Sequence, residues 1–118
     1  MTARMYGIKN CDTVKKARAW LDDHDVRYDF HDYKTAGIDR ARLELWCGEL
    51  GWENLLNRAG TTFRKLSDAD KSGLDARQAV ALMLEQPSMI KRPILEIHGH
   101  LIAGFKPELY TAAVRVAA

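Results

Sequence analysis

The stretch Tyr6-Gly7-Ile8-Lys9-Asn10-Cys11-Asp12-Thr13-Val14-Lys15-Lys16-Ala17 decides the reading of this chain. An apolar run over residues 5–8 predicts a short strand at 4–8, and a brief polar turn follows it. A helix then opens near Asp12 and Thr13 and runs to about residue 24, with Val14, Ala17 and Leu21 along one face. Cys11 therefore falls where a strand ends and a helix begins, among the free N–H groups of the first helical turn. Those groups and the helix dipole favour negative charge, which stabilises a thiolate. They also suit a bound oxyanion, with Lys9, Lys15 and Lys16 adding positive charge nearby. A cysteine near a helix start is common without reactivity too, so position alone leaves both readings open.

Outward from this stretch, Val26, Tyr28 and Phe30 alternate with Arg27, Asp29 and His31, and the alternation predicts a half-buried strand over 26–33. Strand, helix and strand of these lengths make a βαβ unit. Asp39 is placed to cap a helix in which Leu43, Trp46, Cys47 and Leu50 share one face, closed by Gly51. On that face Cys47 reads as a small buried hydrophobe. Residues 52–56 predict a further short helix, 61–66 are mixed, 67–71 form a capped turn, and Asp75 opens a helix carrying Ala79, Leu82 and Met83. Residues 39–86 thus read as helical, with no strand. After Pro93 the runs 94–97 and 101–105 flank a turn at Gly99-His100, which predicts an antiparallel hairpin. Pro107 then starts a last helix with Leu109, Ala112, Ala113 and Val116 along it. The order β-α-β, helical insert, β-β-α is the layout of an α/β, thioredoxin-like fold with a mixed central sheet. The expected organisation is a single domain over 1–118 with the insertion at about 37–88.

Composition excludes several function classes. A chain of 118 residues suffices for one domain with a real core. A formal charge of +2 is too small to point to nucleic acid or a membrane surface as partner. No run approaches a membrane span and no signal-peptide core is visible, so a cytoplasmic location is expected. Two cysteines at positions 11 and 47 make neither a disulfide framework nor a metal site, and the four histidines have no partner at metal spacing.

Four ordered segments carry a family resemblance: residues 6–17, the midsection Leu56-Asn57-Arg58-Ala59-Gly60-Thr61-Thr62-Phe63-Arg64-Lys65-Leu66, then Ser88-Met89-Ile90-Lys91-Arg92-Pro93-Ile94, and Gly104-Phe105-Lys106-Pro107-Glu108. Together they resemble the arsenate reductase (ArsC)/Spx-like family from about residue 5 to residue 114, nearest its YffB-like branch of small ArsC-related proteins. The resemblance implies a site in which Cys11 is the nucleophile, while Arg58, Arg92 and Lys106 hold an anion. Asn10 and Pro93 border that site, and Pro93 follows a peptide bond that is cis in this fold. In the arsenate reductases the third basic residue is an arginine. Lys106 keeps the charge but loses the planar fork that grips an oxyanion with two hydrogen bonds. Taken singly, Arg58 reads equally as a solvated loop charge, Lys106 reads rather as a solvated turn lysine, and Arg92 reads as a surface residue before a proline.

The second cysteine of a Cys-x-x-Cys pair is here Val14, so no internal disulfide can form at that position. The resemblance then implies monothiol chemistry, in which a mixed disulfide on Cys11 is resolved by an external thiol. Glutathione is the implied co-substrate, with glutaredoxin as a further partner, and no tightly bound cofactor or metal is expected. Two other readings stay open at this point. One is an Spx-like regulator docking on the RNA polymerase α-subunit, and the other is a non-catalytic member of the fold.

Overall fold

A computed structural model describes residues 3–58 and 60–116. It divides the chain into two compact units, one built from the segments before Gly37 and after Lys91, the other from Gly37–Lys91. The first unit holds strands β1 (Ala3–Gly7), β2 (Tyr28–Asp32), β3 (Ile94–Ile97) and β4 (His100–Ala103), with helices α1 (Asp12–Asp23), α2 (Tyr33–Ala36) and α8 (Pro107–Val116). The sheet order is β2-β1-β3-β4. β1 runs parallel to β2, antiparallel to β3, and β3 antiparallel to β4, so the sheet is mixed as expected for the thioredoxin-like layout. Its core gathers the alternating inward residues Ala3 and Met5 of β1, Leu95 and Ile97 of β3 and Ile102 of β4. Against them pack Val14, Ala17 and Leu21 of α1 and Tyr110 and Ala113 of α8.

Register matters most for the site. Gly7 pairs with Asp32 across the parallel ladder, and Tyr6 pairs with Ile94 across the antiparallel one. Because β1 lies between β2 and β3, its C-terminal end, the C-terminal end of β2 and the N-terminal end of β3 meet at one end of the sheet. The three chain segments leaving or entering there carry Cys11, Tyr33 and Arg92.

The second unit is helical: α3 (Arg40–Leu50), α4 (Trp52–Leu55), α5 (Thr61–Arg64), α6 (Asp68–Lys71), α7 (Ala76–Glu85) and a 3-10 turn at Pro87–Met89. Its starts are capped as the residue types demand. Asp39 accepts from the Ala41 N–H at 3.0 Å, Ser67 from Asp70 at 3.2 Å and Asp75 from Gln78 at 2.9 Å. A short antiparallel bridge between Leu56 and Ile90, with Asn57 N–H donating to the Met89 carbonyl at 2.7 Å, ties the segment after α4 to the segment after the 3-10 turn.

Several local expectations shift. The β2 alternation continues only to Asp32, and Tyr33 starts a short helix instead of ending the strand. The hairpin turn sits one residue earlier, at His98 and Gly99, because both central residues of such a turn need positive φ (47° and 79°). On α8 the buried face is Tyr110 and Ala113, while Leu109 is 46 % exposed; the Val116 side chain lies outside the described residues. On α3 only Leu43 and Trp46 are buried, and Cys47 is half-buried at the edge of that face.

Candidate functional site around Cys11

Cys11 is the N-cap of α1. Its backbone is extended (φ −128°, ψ 123°), and its carbonyl accepts the first helical hydrogen bond, from Lys15 N–H, at 2.9 Å. The helix can start this close to the strand because Gly7 has no side chain. A Cβ there would lie 2.9 Å from Val14 Cγ2 and 3.4 Å from Cγ1. The thiol makes no side-chain cap bond, as expected of a weak neutral acceptor; the amides of the first turn act on its charged form. Partial burial alone would push the Cys11 thiol up. The Val14 N–H, the Arg92 guanidinium through a hydrogen bond and its charge, and the Thr13 N–H together outweigh burial, and its pKa falls below the ordinary thiol value. Cys47 shows the opposite balance: burial, then the Glu44 carboxylate, raise it. The two thiols are thus shifted in opposite directions, each for an identifiable reason.

Arg92 is half-buried and leads directly into β3 through a cis peptide bond to Pro93, which is buried. The Pro93 carbonyl accepts from Gly104 N–H at 2.8 Å, which fastens the entry to the hairpin. Asn10 is exposed in the turn before Cys11, and Lys106 is exposed at the start of α8, where its carbonyl accepts from Leu109 and Tyr110 N–H at 3.0 Å each. Arg58 belongs to the helical unit, is exposed, and carries its guanidinium 5.3 Å over the Trp52 ring. Within the unit that holds Cys11, the Arg92 guanidinium acts on the sulfur through a hydrogen bond and its charge. No group of metal-ligating side chains occurs among the described residues.

Sequence reasoning missed Tyr33. Its side chain is fully buried, and its phenol is hydrogen-bonded to the Arg92 guanidinium. Burial pushes the phenol strongly up, Arg92 pulls it down, and the nearby Cys11 raises it again, so it stays protonated through the physiological range. The available signal was parity. Tyr33 is a large aromatic at a position that the β2 alternation assigns to polar residues.

Comparison with known proteins gives the family. The family model described as the ArsC family matches residues 6–113. The chain belongs to the ArsC family. It is similar to the solved structure of a YffB protein, at 63 % identity over 95 % of this chain and 98 % of that one, with a TM-score of 0.92. An arsenate reductase (ArsC) related protein from Brucella melitensis shares 56 % identity over 98 % of this chain and 96 % of that one, with a TM-score of 0.77. The global transcriptional regulator Spx of Streptococcus mutans is 32 % identical over 101 residues, 84 % of this chain and 73 % of the regulator. In this ArsC-family chain no helix among the described residues is long and apolar enough to cross a membrane.

Proposed function

We propose that this ArsC-family chain is a glutathione-linked monothiol reductase. The observation that carries the proposal is the placement of Cys11 at the α1 N-cap, with first-turn amides and the Arg92 guanidinium acting on its sulfur. With a disulfide substrate bearing glutathione, the Cys11 thiolate attacks the glutathione sulfur and the substrate thiolate leaves. A second glutathione thiolate attacks the resulting Cys11–glutathione disulfide, releasing oxidised glutathione and restoring Cys11. With arsenate, Cys11 displaces hydroxide from arsenic. A glutathione thiolate then attacks the Cys11 sulfur, the electron pair of the S–As bond passes to arsenic, and arsenite leaves the same mixed disulfide. Val14 in place of a second cysteine supports an external resolving thiol, glutathione itself or a glutaredoxin. Lys106 serves as a further anion-binding charge, with Asn10 and Pro93 at the border.

Turnover tests this. The full chain is given glutathione with a glutathionylated peptide or with arsenate, and oxidised glutathione is followed. Turnover that disappears in Cys11→Ser and persists in Cys47→Ser supports the proposal. A Cys11 that alkylates with iodoacetamide across pH 4–9 like a free thiol, no faster than Cys47, overturns it. A second reading is favoured by the Spx match: the chain docks on the RNA polymerase α-subunit as a regulator. Direct binding of the purified chain to that subunit, independent of Cys11, would establish it instead.

A further inference from the structure

We infer that Tyr33 is a positioning residue for Cys11: its buried phenol oxygen accepts a hydrogen bond from the Arg92 guanidinium and holds that group against the sulfur. The inference rests on the proposed thiolate chemistry and adds a residue which that chemistry does not itself require. Arg92 has a long side chain whose rotamer freedom must be given up to stay on one atom. A guanidinium is a rigid plane of five N–H donors, so fixing one N–H direction fixes the others. Tyr33 suits the purpose because it has few torsions and is fully buried. It is also the first residue of α2, immediately after β2.

The same junction fastens the other half of the site. Asp32, the last residue of β2, accepts from Lys34 N–H at 3.0 Å and from Lys9 N–H at 3.4 Å. It thus ties the first turn of α2 to the turn that precedes Cys11. One dipeptide therefore grips both the turn before the nucleophile and the cation opposite it. The choice of a phenol has a chemical logic. A carboxylate in its place would pair with the guanidinium, cancel its charge and work against the thiolate. A neutral phenol holds Arg92 by geometry and leaves its full charge for the sulfur. The charges acting most strongly on the Tyr33 phenol are those of Arg92, Cys11 and Asp32.

The test compares Tyr33→Phe, Arg92→Ala and the double variant in the full chain, with the pH profile of Cys11 alkylation as readout and thermal unfolding as a check on folding. Tyr33→Phe is expected to move the midpoint upward, in the direction of Arg92→Ala and by less. Below the midpoint it should slow alkylation roughly two- to tenfold, the range expected for one lost hydrogen bond. The double variant should go no further than Arg92→Ala alone, because the phenol acts only through the guanidinium. A folded Tyr33→Phe with the wild-type midpoint, beside an Arg92→Ala that shifts, overturns the positioning role and leaves the proposed function standing. Fully additive shifts overturn it as well. An unshifted Arg92→Ala removes both this inference and the part of Arg92 in the thiolate. Should Tyr33→Phe fail to fold, side-chain nitrogen NMR on the wild-type chain decides the matter. Resolved Arg92 N–H signals with hindered rotation support the role, and averaged signals overturn it.

Discussion

Gly7→Ala is a one-carbon change whose cost can be worked from the contacts. The added Cβ would stand 2.9 Å from Val14 Cγ2, 3.4 Å from Cγ1 and 3.6 Å from Phe30 Cε1. Val14 cannot easily turn away: it is fully buried, and a β-branched side chain in a helix has one strongly preferred rotamer. Either β1 or the first turn of α1 must move, and overpacking of this kind costs about 1–3 kcal/mol. For a chain of this size that lowers Tm by roughly 5–15 °C. Urea unfolding should show a lower midpoint at unchanged slope. The displaced turn is the one that presents the Val14 and Thr13 amides to Cys11, so Cys11 alkylation near neutral pH should slow as well. Val14→Ala supplies the control. Alone it leaves a gap and destabilises, yet in the double variant it makes room for the new methyl group. The double variant should therefore be more stable than the sum of the single changes by about 1 kcal/mol or more. Gly7→Ala within about 0.5 kcal/mol of wild type, or single effects that add within that margin, would refute the close-approach argument.

Other outcomes follow from single features. The pKa of Cys11 is lower in the folded chain, so its thiolate contributes stability that is complete above the unfolded value of about 8.5 and lost as pH falls through the folded value. The stability of wild type relative to Cys11→Ala should accordingly rise with pH toward the unfolded value and level off above it, and a flat difference in denaturant titrations would contradict this. The Tyr110 hydroxyl is buried with no hydrogen-bond partner among the described residues, so Tyr110→Phe removes an unpaid desolvation cost. It should be neutral or stabilising by about 1 kcal/mol, and a loss larger than that in the same titration would reveal a partner. Asp75→Ala removes the cap on the Gln78 N–H and should cost about 1 kcal/mol, read as a lower urea midpoint.

Local pattern carried much of this protein into view. Strand β1, helix α1 with its Val14, Ala17 and Leu21 face, the Asp39 and Asp75 caps and the closing hairpin follow from periodicity and capping, which neighbouring residues determine among themselves. The cysteine at the strand–helix junction was legible for the same reason. The short helices α2 and α5 were not, since four residues are too few for a 3.6-residue period to show against a two-residue one. The true buried face of α8 also escaped. An alanine-rich helix offers several apolar stripes, and only the sheet beneath it selects Tyr110 and Ala113 over Leu109.

The sequence by itself thus determined the strands, the principal helices and the chemical type of the nucleophile. Its order of motifs matched the ArsC family, which the family match over residues 6–113 now shows. The family resemblance implied Arg92 beside the nucleophile, but only tertiary structure brought Tyr33 to it. Tyr33 and Arg92 lie far from Cys11 in the chain, and no local preference relates them. They meet because β1 sits between a parallel and an antiparallel neighbour in the registers Gly7–Asp32 and Tyr6–Ile94, which carries three distant segments to one end of the sheet. Register is set by which faces are buried across the whole sheet, and that is a property of the folded chain rather than of any stretch within it.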